Sequence, residues 1–573
     1  MAKDNKKLEI EKLKAEIERL KKELKKKKKY GLVWEEKPEE VVEMCKKKLP
    51  VLKEVKNKEI ITEKDKPVNL LIEGDNYHAL SVLNYTHAKK VDVIYIDPPY
   101  NTGNKDFIFN DRYIDKEDAY RHSKWLSFME KRLKLAKNLL KDDGVIFISI
   151  DDNEVAQLKM LMDKQLELFG ERNLVGILKW KRKKQPSFLH NQIASMTEYI
   201  LVYARNINSA PKLSLEKIKG DTKPLFNPSN KESIRSFCKG IRTKYKEGII
   251  KRGKYKIKTM TIEYLNDVIV DNFRTKNSFQ MKAKFRDSQN NIDKYIKDDL
   301  IFITKNNTLR REISKEESGK LKPITDLLLD WGQNQDAFGE LRNFFSGKIV
   351  FENPKPTLLI KNLIRAYTKS KNERILDFFA GTGTTGQAVL GLNKEDGGNR
   401  QFILCTNNEN NICTDVCYPR IEKVIKGYKN LKGEKVEGLG GNLKYFKTDF
   451  VDYDEPTDRN KIQFAQQATD MLCVKEGTFE KVVDNEKFKI FKNLHHYTGI
   501  IWDQTAIPAF KKAIEDIKGE FSVYVFSLGD ETFDEEFEDA CSVGNGISNG
   551  VKQSIKLSPI PEAILRVYRR IFN

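Results

Sequence analysis

The sequence predicts an α/β protein built on a mostly parallel, Rossmann-like sheet, and three observations carry that prediction. Runs of β-branched and apolar residues, such as Val91–Ile96 and Gly144–Ile150, alternate with amphipathic helical segments. The strand predicted at 374–379 runs directly into a glycine-rich turn and then a helix. Acidic residues follow several predicted strands, at the end where open α/β sheets bind ligands. This alternation is typical of βαβ units in a parallel sheet.

Composition limits the classes of protein to consider. The chain has 573 residues, 33% of them charged and 39% hydrophobic, which is enough for about three or four domains. No apolar run approaches the roughly 20 residues that a membrane-spanning helix needs. The Lys-rich N-terminus lacks the pattern of a signal peptide, so we expect a cytoplasmic protein with no membrane partner. The net charge of +20 favours a polyanionic partner.

Cysteine and histidine usage argues against a metal site. The seven cysteines are an odd number spread over a long chain, which indicates reduced thiols rather than a disulfide framework. Cys405, Cys413 and Cys417 lie close together, but their spacing matches no common zinc pattern and no histidine lies nearby. We therefore expect no bound metal.

Residues 1–66 are predicted to form an N-terminal helical coil and a linker. Apolar residues alternate at spacings of three and four between Lys and Glu, the a/d pattern of a coiled coil, at Ile10, Leu13, Ile17, Leu20 and Leu24. So short a coil is not stable alone, so we expect it to dock on another subunit or on the protein's own surface. A solvated Lys-rich helix is the alternative interpretation.

Residues 67–205 are predicted to form the first half of the catalytic sheet. The strand Val68–Ile72, an acidic turn, a helix and the strand Val91–Ile96 make a βαβ unit. Asp75 lies at the carboxyl end of its strand, where it could accept a hydrogen bond from the amino group of an adenine ring. It could equally cap the following helix without any ligand, and both interpretations stay open.

Asp97, Pro98, Pro99 and Tyr100 follow the Val91–Ile96 strand directly. The prolines fix a loop in which a carboxylate and a backbone carbonyl can accept the two hydrogens of an exocyclic amine. Such an amine is a poor nucleophile because its lone pair is delocalised into the base ring. Tyr100 offers a flat face for a flipped-out base, worth roughly 1–3 kcal/mol in stacking. A proline-stiffened turn without chemistry is the alternative for these four residues alone.

A cluster of five cations is predicted to lie in one exposed loop together with Trp180. Its members are Lys179, Lys181, Arg182, Lys183 and Lys184. We expect this loop to clamp DNA phosphates or to act as a wedge beside a flipped base. A solvated loop is the alternative.

Residues 206–345 form a basic insert between the two halves of the sheet. Between 231 and 260 there are 11 Lys or Arg against two Glu, so we predict a target-recognition domain that binds DNA. The candidate contacts are Arg242, Lys244, Lys246, Arg252 and Lys254. The DNA sequence that it reads does not follow from the chain, because base readout depends on groove geometry and a few side chains.

Residues 346–430 are predicted to form the cofactor-binding half. Gly381 and Gly383 follow the strand that ends near Asp377, and they let the backbone approach a ligand beside a helix N-terminus. Glu409, after the strand Phe402–Leu404, lies where an acid would bind ribose hydroxyls. Taken alone, this half fits the dinucleotide of an oxidoreductase as well as S-adenosyl-L-methionine. The Asp97 loop and the basic insert favour the methyl donor.

Three motifs resemble those of DNA amino-methyltransferases. Asp97–Tyr100 is similar to motif IV of the adenine N6 enzymes, and Asp377–Thr385 to motif I of the β-class, in which the target motif precedes the cofactor motif. The loop Asn353–Pro356 resembles motif X, near the methionine end of the cofactor. The family usually has Pro at position 378 and often Ser at 382, where this chain has Phe378 and Thr382.

The resemblance implies a Rossmann-like S-adenosylmethionine-dependent methyltransferase sheet, circularly ordered. It also implies that cofactor contacts extend beyond Gly381, Gly383 and Glu409. The candidates are Asp75, Asn353, Lys355, Asp377, Phe379, Thr384 and Thr385. By the same resemblance, Asp97–Tyr100 holds an adenine amine.

Nearly the whole chain resembles the modification subunit of type III restriction-modification systems, including the N-terminal coil and the α+β domain predicted at 431–573. The resemblance implies a homodimer on double-stranded DNA and a separate ATP-dependent restriction subunit. We expect the C-terminal domain to be the dimer or subunit interface. Alternatives are a solitary methyltransferase, a cytosine N4 or RNA methyltransferase on the same fold, and a non-catalytic DNA-binding subunit.

Overall fold

The structure is a computed structural model, and it describes residues 34–572 apart from 105, 165–167, 187–191, 219–221, 258–259, 368, 454–456, 495, 532 and 539–553. The chain divides into two compact units. The larger one combines residues up to Pro211 with residues from Thr325 onward, and the smaller one is Lys212–Ile324. The predicted N-terminal coiled-coil helix lies outside the described residues.

An 11-stranded sheet organises the larger unit, and its six central strands run parallel. In order of pairing, its strands are Lys48–Glu54, Asn442–Asp452, Val68–Glu73, Gln401–Thr406, Arg374–Asp377, Val91–Ile96, Leu140–Ile150, Thr197–Ala204, Leu174–Lys181 and Leu327–Leu328, with Ile60–Ile61 beside Asn442–Asp452. The prediction of an α/β protein with a mostly parallel sheet is therefore confirmed.

The central strands are apolar because they are buried. All six residues of Val91–Ile96 are buried, as expected for parallel strands that are covered on both faces. The one acid among them, Asp92, accepts hydrogen bonds from the Arg374 backbone N–H at 2.8 Å and from Lys141 Nζ at 2.7 Å. Its buried charge is thus compensated.

Helices connect the strands of this sheet. They are Glu40–Met44, Asn76–Thr86, Arg121–Leu139, Val155–Met162, Asn334–Phe344, Thr357–Tyr367, Thr384–Asp396 and Tyr418–Lys426. The helix Thr357–Tyr367 directly follows the loop Asn353–Pro356. Val155–Met162 buries Leu158, Leu161 and Met162. Asp163, just after it, accepts a hydrogen bond from the Tyr203 hydroxyl at 2.7 Å.

Four strands of the main sheet come from regions that were expected to lie elsewhere. Lys48–Glu54 and Ile60–Ile61 belong to the predicted linker, Leu327–Leu328 to the predicted insert and Asn442–Asp452 to the predicted C-terminal domain. Asn442–Asp452 pairs with Val68–Glu73 on one side and with Lys48–Glu54 on the other. These pairings satisfy backbone groups that a narrower sheet would leave without partners.

The expectation of one exposed loop over Lys179–Lys184 is wrong for its first three residues. They belong to the strand Leu174–Lys181. Trp180 is only 1% exposed and donates its indole N–H to the Gly332 carbonyl at 2.8 Å. A buried Trp next to an exposed Lys179 is the period of two that a strand imposes. The loop begins at Arg182.

The C-terminal part of the larger unit carries a second sheet. Its five strands are Glu480–Asp484, Phe488–Asn493, His496–Ile501, Glu520–Phe526 and Ser554–Ile560. Its helices are Asp458–Gln467, Thr469–Glu476, Ile507–Ile514 and Glu562–Phe572. An apolar core that includes Phe488, Phe510 and Val523 holds this part together, as the α+β prediction requires.

The unit Lys212–Ile324 is mostly antiparallel sheet with a core of its own around Phe237, Ile262 and Met281. One sheet pairs Thr222–Pro224, Leu309–Glu312, Ile301–Ile303, Arg242–Thr243, Arg274–Thr275, Val268–Asp271 and Gly248–Ile250, and another pairs Ser233–Phe237, Phe279–Ala283, Met260–Tyr264 and Gly253–Ile257. It also contains the helix Gln289–Lys297 and the strand pair Glu216–Lys217 with Leu321–Lys322. This unit lies inside the predicted insert.

Short elements complete the described chain. Two hairpins pair Ile108–Phe109 with Arg112–Tyr113 and Gly427–Lys429 with Lys435–Glu437. Among the described residues, no helix is long and apolar enough to cross a membrane. Within the same residues, no group of three or more His, Cys, Asp or Glu side chains is placed to hold a metal ion.

Candidate active site

The two sequence motifs meet at the point in the main sheet from which the chain adds strands in opposite directions. Val91–Ile96 and Arg374–Asp377 are parallel neighbours, with Ile94 beside Leu376. From the first strand the chain continues to Leu140–Ile150 on one side, and from the second to Gln401–Thr406 on the other side. The carboxyl ends of two such strands border the crevice in which open α/β sheets bind ligands. The loops after Ile96 and Leu376 therefore face one site.

Asp97 is the centre of a charged cluster. Lys355 Nζ lies 2.8 Å from each carboxylate oxygen of Asp97 and 3.6 Å from Glu198 Oε2. The Tyr100 hydroxyl lies 2.9 Å from Asp97 Oδ1 and 3.1 Å from Glu198 Oε2, so two carboxylates share its single proton. Burial lowers the pKa of Lys355, but the two carboxylates outweigh burial and raise that pKa above its ordinary value. The lysine is thus a cation.

The proline loop is held from one side by a helix. Trp125, buried in Arg121–Leu139, donates its indole N–H to the Pro99 carbonyl at 2.8 Å. Within the described part of the chain, the Pro98 carbonyl accepts no hydrogen bond. The loop thus presents one carbonyl with free lone pairs next to the Asp97 carboxylate, as the predicted amine chemistry requires.

The residue after Tyr100 is locked by a buried acid. Asn101 is fully buried with φ +57°, and its amide donates to Glu154 Oε1 at 2.6 Å. His122 Nδ1 lies 2.6 Å from the same oxygen. Among the described residues, Glu154 Oε2 has no hydrogen-bond partner. Burial raises the pKa of Glu154 to about 8, which favours the neutral carboxyl group at neutral pH.

Asp377 shapes the glycine loop that follows it. Its carboxylate accepts the Thr385 hydroxyl at 2.5 Å and the Phe379 backbone N–H at 3.0 Å. Burial raises the pKa of Asp377 to about 7. Both oxygens are used within the loop, so Asp377 fixes the turn and the start of the helix Thr384–Asp396.

The two predicted glycines have different surroundings. Gly381 has φ +48°, and a Cβ built there meets nothing nearer than the Phe379 carbonyl oxygen at 3.9 Å. Gly383 has φ +79°, and its Cβ would lie 3.0 Å from Cys417 Sγ. The backbone at Gly381 is therefore open to a ligand, whereas Gly383 is required by packing and by its conformation.

Arg420 supports this loop and was not predicted from the sequence. Its guanidinium is fully buried and donates to the hydroxyls of Thr382 at 2.9 Å and Thr384 at 2.8 Å. Burial lowers the pKa of Arg420 to about 10. The signal that was available is its place on the apolar stripe of Tyr418–Lys426, four residues before Val424 and beside Ile421.

Asp75 caps a helix in the structure. Its carboxylate accepts the Tyr77 backbone N–H at 2.7 Å and lies 3.3 Å from the Arg132 guanidinium. Arg132 is fully buried and also pairs with Glu39 at 2.6 Å. Of the two interpretations left open by the sequence, the capping contact is present, and a cofactor contact at Asp75 stays a prediction.

The other predicted cofactor residues lie in separate loops. Glu409 is exposed in a turn after Gln401–Thr406 and accepts the Tyr113 hydroxyl at 3.1 Å. Asn353 is exposed, and Phe379 is half-buried with its ring 5.9 Å from that of Phe128. Their cofactor contacts stay predictions.

Glu198 is a second site residue that sequence reasoning missed. It is 5% exposed at the start of the strand Thr197–Ala204, and Arg182 lies 3.4 Å from its other oxygen. Its signal in the sequence was an acid at the head of an otherwise apolar strand. Arg182, predicted to contact DNA, thus contacts the carboxylate cluster of the site.

The remaining predicted DNA contacts are partly engaged in local ion pairs. Lys179 lies 3.7 Å from Asp326. In the smaller unit, Arg242 pairs with Glu312 at 2.9 Å and with Asp299 at 3.5 Å. Besides Lys179, the exposed cations among the candidates are Lys184, Lys244, Lys246, Arg252 and Lys254, and Lys181 and Lys183 are half-buried. DNA contact by all of these residues stays a prediction.

Known proteins match the region that carries both motifs. The DNA methylase family matches residues 91–416, more than half of the chain. The Mod subunit of the type III restriction-modification enzyme StyLTI from Salmonella typhimurium is 34% identical over 386 residues, which are 62% of this chain and 56% of that protein. The type II methyltransferase M.KpnI from Klebsiella pneumoniae is 31% identical over 412 residues, which are 64% of this chain and 89% of that protein.

The matched region covers little more than half of the StyLTI Mod subunit. Among solved structures, the cytosine-N4-specific PvuII DNA methyltransferase is 11% identical with a TM-score of 0.32, and the match covers 66% of this chain and 99% of that chain. A likeness this low supports no conclusion about function. The family match and the M.KpnI match do identify the family: this chain belongs to the DNA methylases.

Proposed function

We propose that the protein is a site-specific DNA methyltransferase that transfers a methyl group from S-adenosyl-L-methionine to N6 of an adenine flipped out of duplex DNA. One observation carries the proposal. Asp97–Tyr100 and the glycine loop after Asp377 end adjacent parallel strands at the same crevice, within a chain of the DNA methylase family. A base and a methyl donor bound at these two loops would lie next to each other.

The residues of the second loop fit S-adenosyl-L-methionine. The backbone at Gly381 is open, the helix Thr384–Asp396 starts beside it, and Glu409 presents an exposed carboxylate for ribose hydroxyls. The sulfonium of S-adenosyl-L-methionine supplies an electrophilic methyl group when that molecule is bound. Gly381, Phe379 and Glu409 would hold it, and Asp377 would keep the loop in shape.

The target amine is activated by the first loop. The Asp97 carboxylate and the Pro98 carbonyl accept its two hydrogens, which localises the lone pair on nitrogen, while Tyr100 stacks on the base. With its lone pair localised, the nitrogen would bond to the methyl carbon that the bound donor supplies, and the donor would leave with the electron pair of its carbon–sulfur bond. The methylated nitrogen then loses a proton to solvent. Positioning and electrostatics supply the rate enhancement.

The order of the motifs supports the finer assignment to a circularly ordered methyltransferase. The Asp97 loop precedes the glycine loop in the chain, and the basic unit Lys212–Ile324 lies between them in sequence. We propose that this unit reads the DNA target. Similarity to the StyLTI Mod subunit supports a type III restriction-modification system. We further propose a homodimer of this chain and a separate ATP-dependent restriction subunit.

The test is methyl transfer to duplex DNA of mixed sequence with labelled S-adenosyl-L-methionine. The DNA is digested to nucleosides for mass spectrometry, and modified positions are mapped by long-read sequencing. We expect N6-methyladenine at one short motif. N4-methylcytosine would overturn the choice of base, and transfer to RNA alone would overturn the choice of substrate.

A further inference from the structure

Lys355 occupies the position that the proposed reaction needs for the target amine. Its side chain is 9% exposed, and its ammonium donates to both oxygens of Asp97 at 2.8 Å. The same ammonium lies 4.9 Å from the centre of the Tyr100 ring. The carboxylate that should accept an amine hydrogen and the ring on which a base should stack are therefore both in contact with one buried cation.

We propose that Lys355 holds the place of the target amine in the free protein and transfers its hydrogen bond from Asp97 to Glu198 when a base enters. Lys355 and Glu198 would then be positioning residues of the site. The inference rests on the proposed function, because it requires an exocyclic amine at Asp97. It differs from the role that the family resemblance implies for Lys355, which is a contact with the methyl donor.

Two physical reasons require the lysine to leave Asp97. The ammonium and the Tyr100 hydroxyl together occupy three of the roughly four lone-pair positions of the Asp97 carboxylate, to which an incoming amine hydrogen must bind. In addition, the amine nitrogen becomes positive as it takes the methyl group, and a cation hydrogen-bonded to the same carboxylate would oppose that charge. An Asp97 carboxylate released from Lys355 stabilises the transition state better than a neutralised one.

Glu198 is placed to receive the lysine. Its Oε2 lies 3.6 Å from Lys355 Nζ, so a shift to the 2.8 Å now seen at Asp97 would complete a direct hydrogen bond. Glu198 is 5% exposed and is fixed by the Tyr100 hydroxyl at 3.1 Å and by Arg182 at 3.4 Å. A fixed anion next to Asp97 lets the ammonium change partners without becoming an unpaired buried charge.

The decisive experiment is a double-mutant cycle with Glu198→Gln and Lys355→Met, read out as kcat/KM for duplex DNA. Gln keeps the shape of Glu198 but not the charge that attracts the lysine, so Lys355 would stay on Asp97. We expect Glu198→Gln to lower kcat/KM roughly 10-fold in the wild-type background and less than about 3-fold in the Lys355→Met background. Equal losses in both backgrounds would overturn the inference.

A matched control comes from another Lys–Glu pair. Lys361 Nζ, on the helix Thr357–Tyr367, lies 2.6 Å from Glu395 Oε1, on the helix Thr384–Asp396. The cycle with Glu395→Gln and Lys361→Met should leave kcat/KM unchanged in every combination. Any loss that it shows measures the general cost of removing such a pair and is subtracted from the Glu198 cycle.

Two further measurements separate this inference from the proposed function. The affinity for S-adenosyl-L-methionine should be the same in Lys355→Met as in the wild type, and its loss would assign Lys355 to the methyl donor instead. With 2-aminopurine at the target adenine, Lys355→Met should show at least the wild-type fluorescence increase, and a smaller increase would overturn the inference even if Glu198→Gln fails to fold. A wild type that methylates no duplex DNA would overturn the proposed function, and this inference with it.

Discussion

Trp125 donates its indole N–H to the carbonyl oxygen of Pro99 at 2.8 Å, from a fully buried position in the helix Arg121–Leu139. The proline loop is thus anchored to a helix as well as to its own strand. The contact involves neither the Pro98 carbonyl nor the Asp97 carboxylate. It makes the orientation of the loop testable without touching either group.

Trp125→Phe should therefore slow methyl transfer although it changes neither Asp97 nor Pro98. Phe keeps the aromatic ring but leaves the Pro99 carbonyl without its donor, which costs about 1–3 kcal/mol. We expect the single-turnover rate to fall roughly 10-fold, with unchanged affinity for S-adenosyl-L-methionine. A wild-type rate would show that the hydrogen bond does not position the loop.

Substitutions of Asp97 should lower the rate of methyl transfer by an amount that depends on how many hydrogen-bond acceptors they leave. Asp97→Ala removes both oxygens and should lower the rate of methyl transfer by roughly 100-fold or more, whereas Asp97→Asn keeps one carbonyl acceptor and should lose less. Binding of DNA and of the methyl donor, measured by titration, should stay close to wild type. Near-normal turnover of Asp97→Ala would remove the role given to this carboxylate.

Gly381→Ala tests the open backbone of the glycine loop. The new Cβ meets no protein atom within 3.9 Å, and the strain of an L-residue at φ +48° costs about 1–2 kcal/mol. The fold should survive, but affinity for S-adenosyl-L-methionine should drop about 10-fold in calorimetry. Gly391→Ala, in the interior of Thr384–Asp396, is the control and should bind normally. Equal affinities would place the donor elsewhere.

Glu154→Gln should change how stability depends on pH. Burial raises the pKa of Glu154 to about 8 from 4.5, so the folded wild type holds a proton that the unfolded chain releases. The wild type therefore loses free energy of unfolding as pH rises from about 5 to 8. The variant cannot release this proton, so its stability relative to wild type should increase over that range by a few kcal/mol at most.

Urea denaturation at pH 5.5 and pH 8.5 checks the Glu154 prediction. The raised pKa of Asp377 affects both proteins equally and cancels in the comparison. The exposed Glu395 gives the control, because Glu395→Gln should keep the same difference from wild type at both pH values. A constant difference for Glu154→Gln would mean that Glu154 is ionised in the folded protein.

Substitutions of Lys246 and Arg242 should have different effects on DNA binding. Lys246 is exposed and makes no ion pair within the described residues, so Lys246→Ala should weaken DNA binding and reduce the slope of log K against log salt by about 0.9. Arg242 is held by Glu312 and Asp299. Arg242→Ala should therefore lower the free energy of unfolding, and it should change the slope less than Lys246→Ala does. Fluorescence anisotropy over a salt series measures both slopes, and an unchanged Lys246 slope would exclude this phosphate contact.

The elements that the sequence could predict are those whose cause is local. Val91–Ile96 is apolar at five of its six positions because it is buried on both faces. The prolines and glycines after the central strands are typical of the loops that follow such strands. The same local signals placed Asp97 and Asp377 at the ends of strands, although nothing in the sequence shows that those strands are neighbours.

The contacts that could not be predicted depend on the path of the whole chain. Lys355 and Asp97 are 258 residues apart, and their ion pair exists only because the sheet brings two distant loops together. Trp180 was assigned to an exposed loop because it is surrounded by Lys and Arg, yet its side chain faces the core in strand register. The charges around Trp180 suggested a loop. The alternation of buried and exposed side chains, which indicates a strand, extends over too few residues to stand out beside them.

The strand Asn442–Asp452 has a consequence for shortening the protein. It covers the edge of Val68–Glu73, and Tyr568 near the C-terminal end donates to the Pro50 carbonyl at 2.6 Å. A protein cut back to residue 430 would keep every motif residue but expose a row of backbone N–H and C=O groups beside the βαβ unit that positions Asp97. Exposed edges of this kind pair with other chains. The tail is therefore a solubility element of the catalytic sheet, and minimal enzymes should retain it, because Leu472, Ile564 and Tyr568 share the apolar core of that sheet.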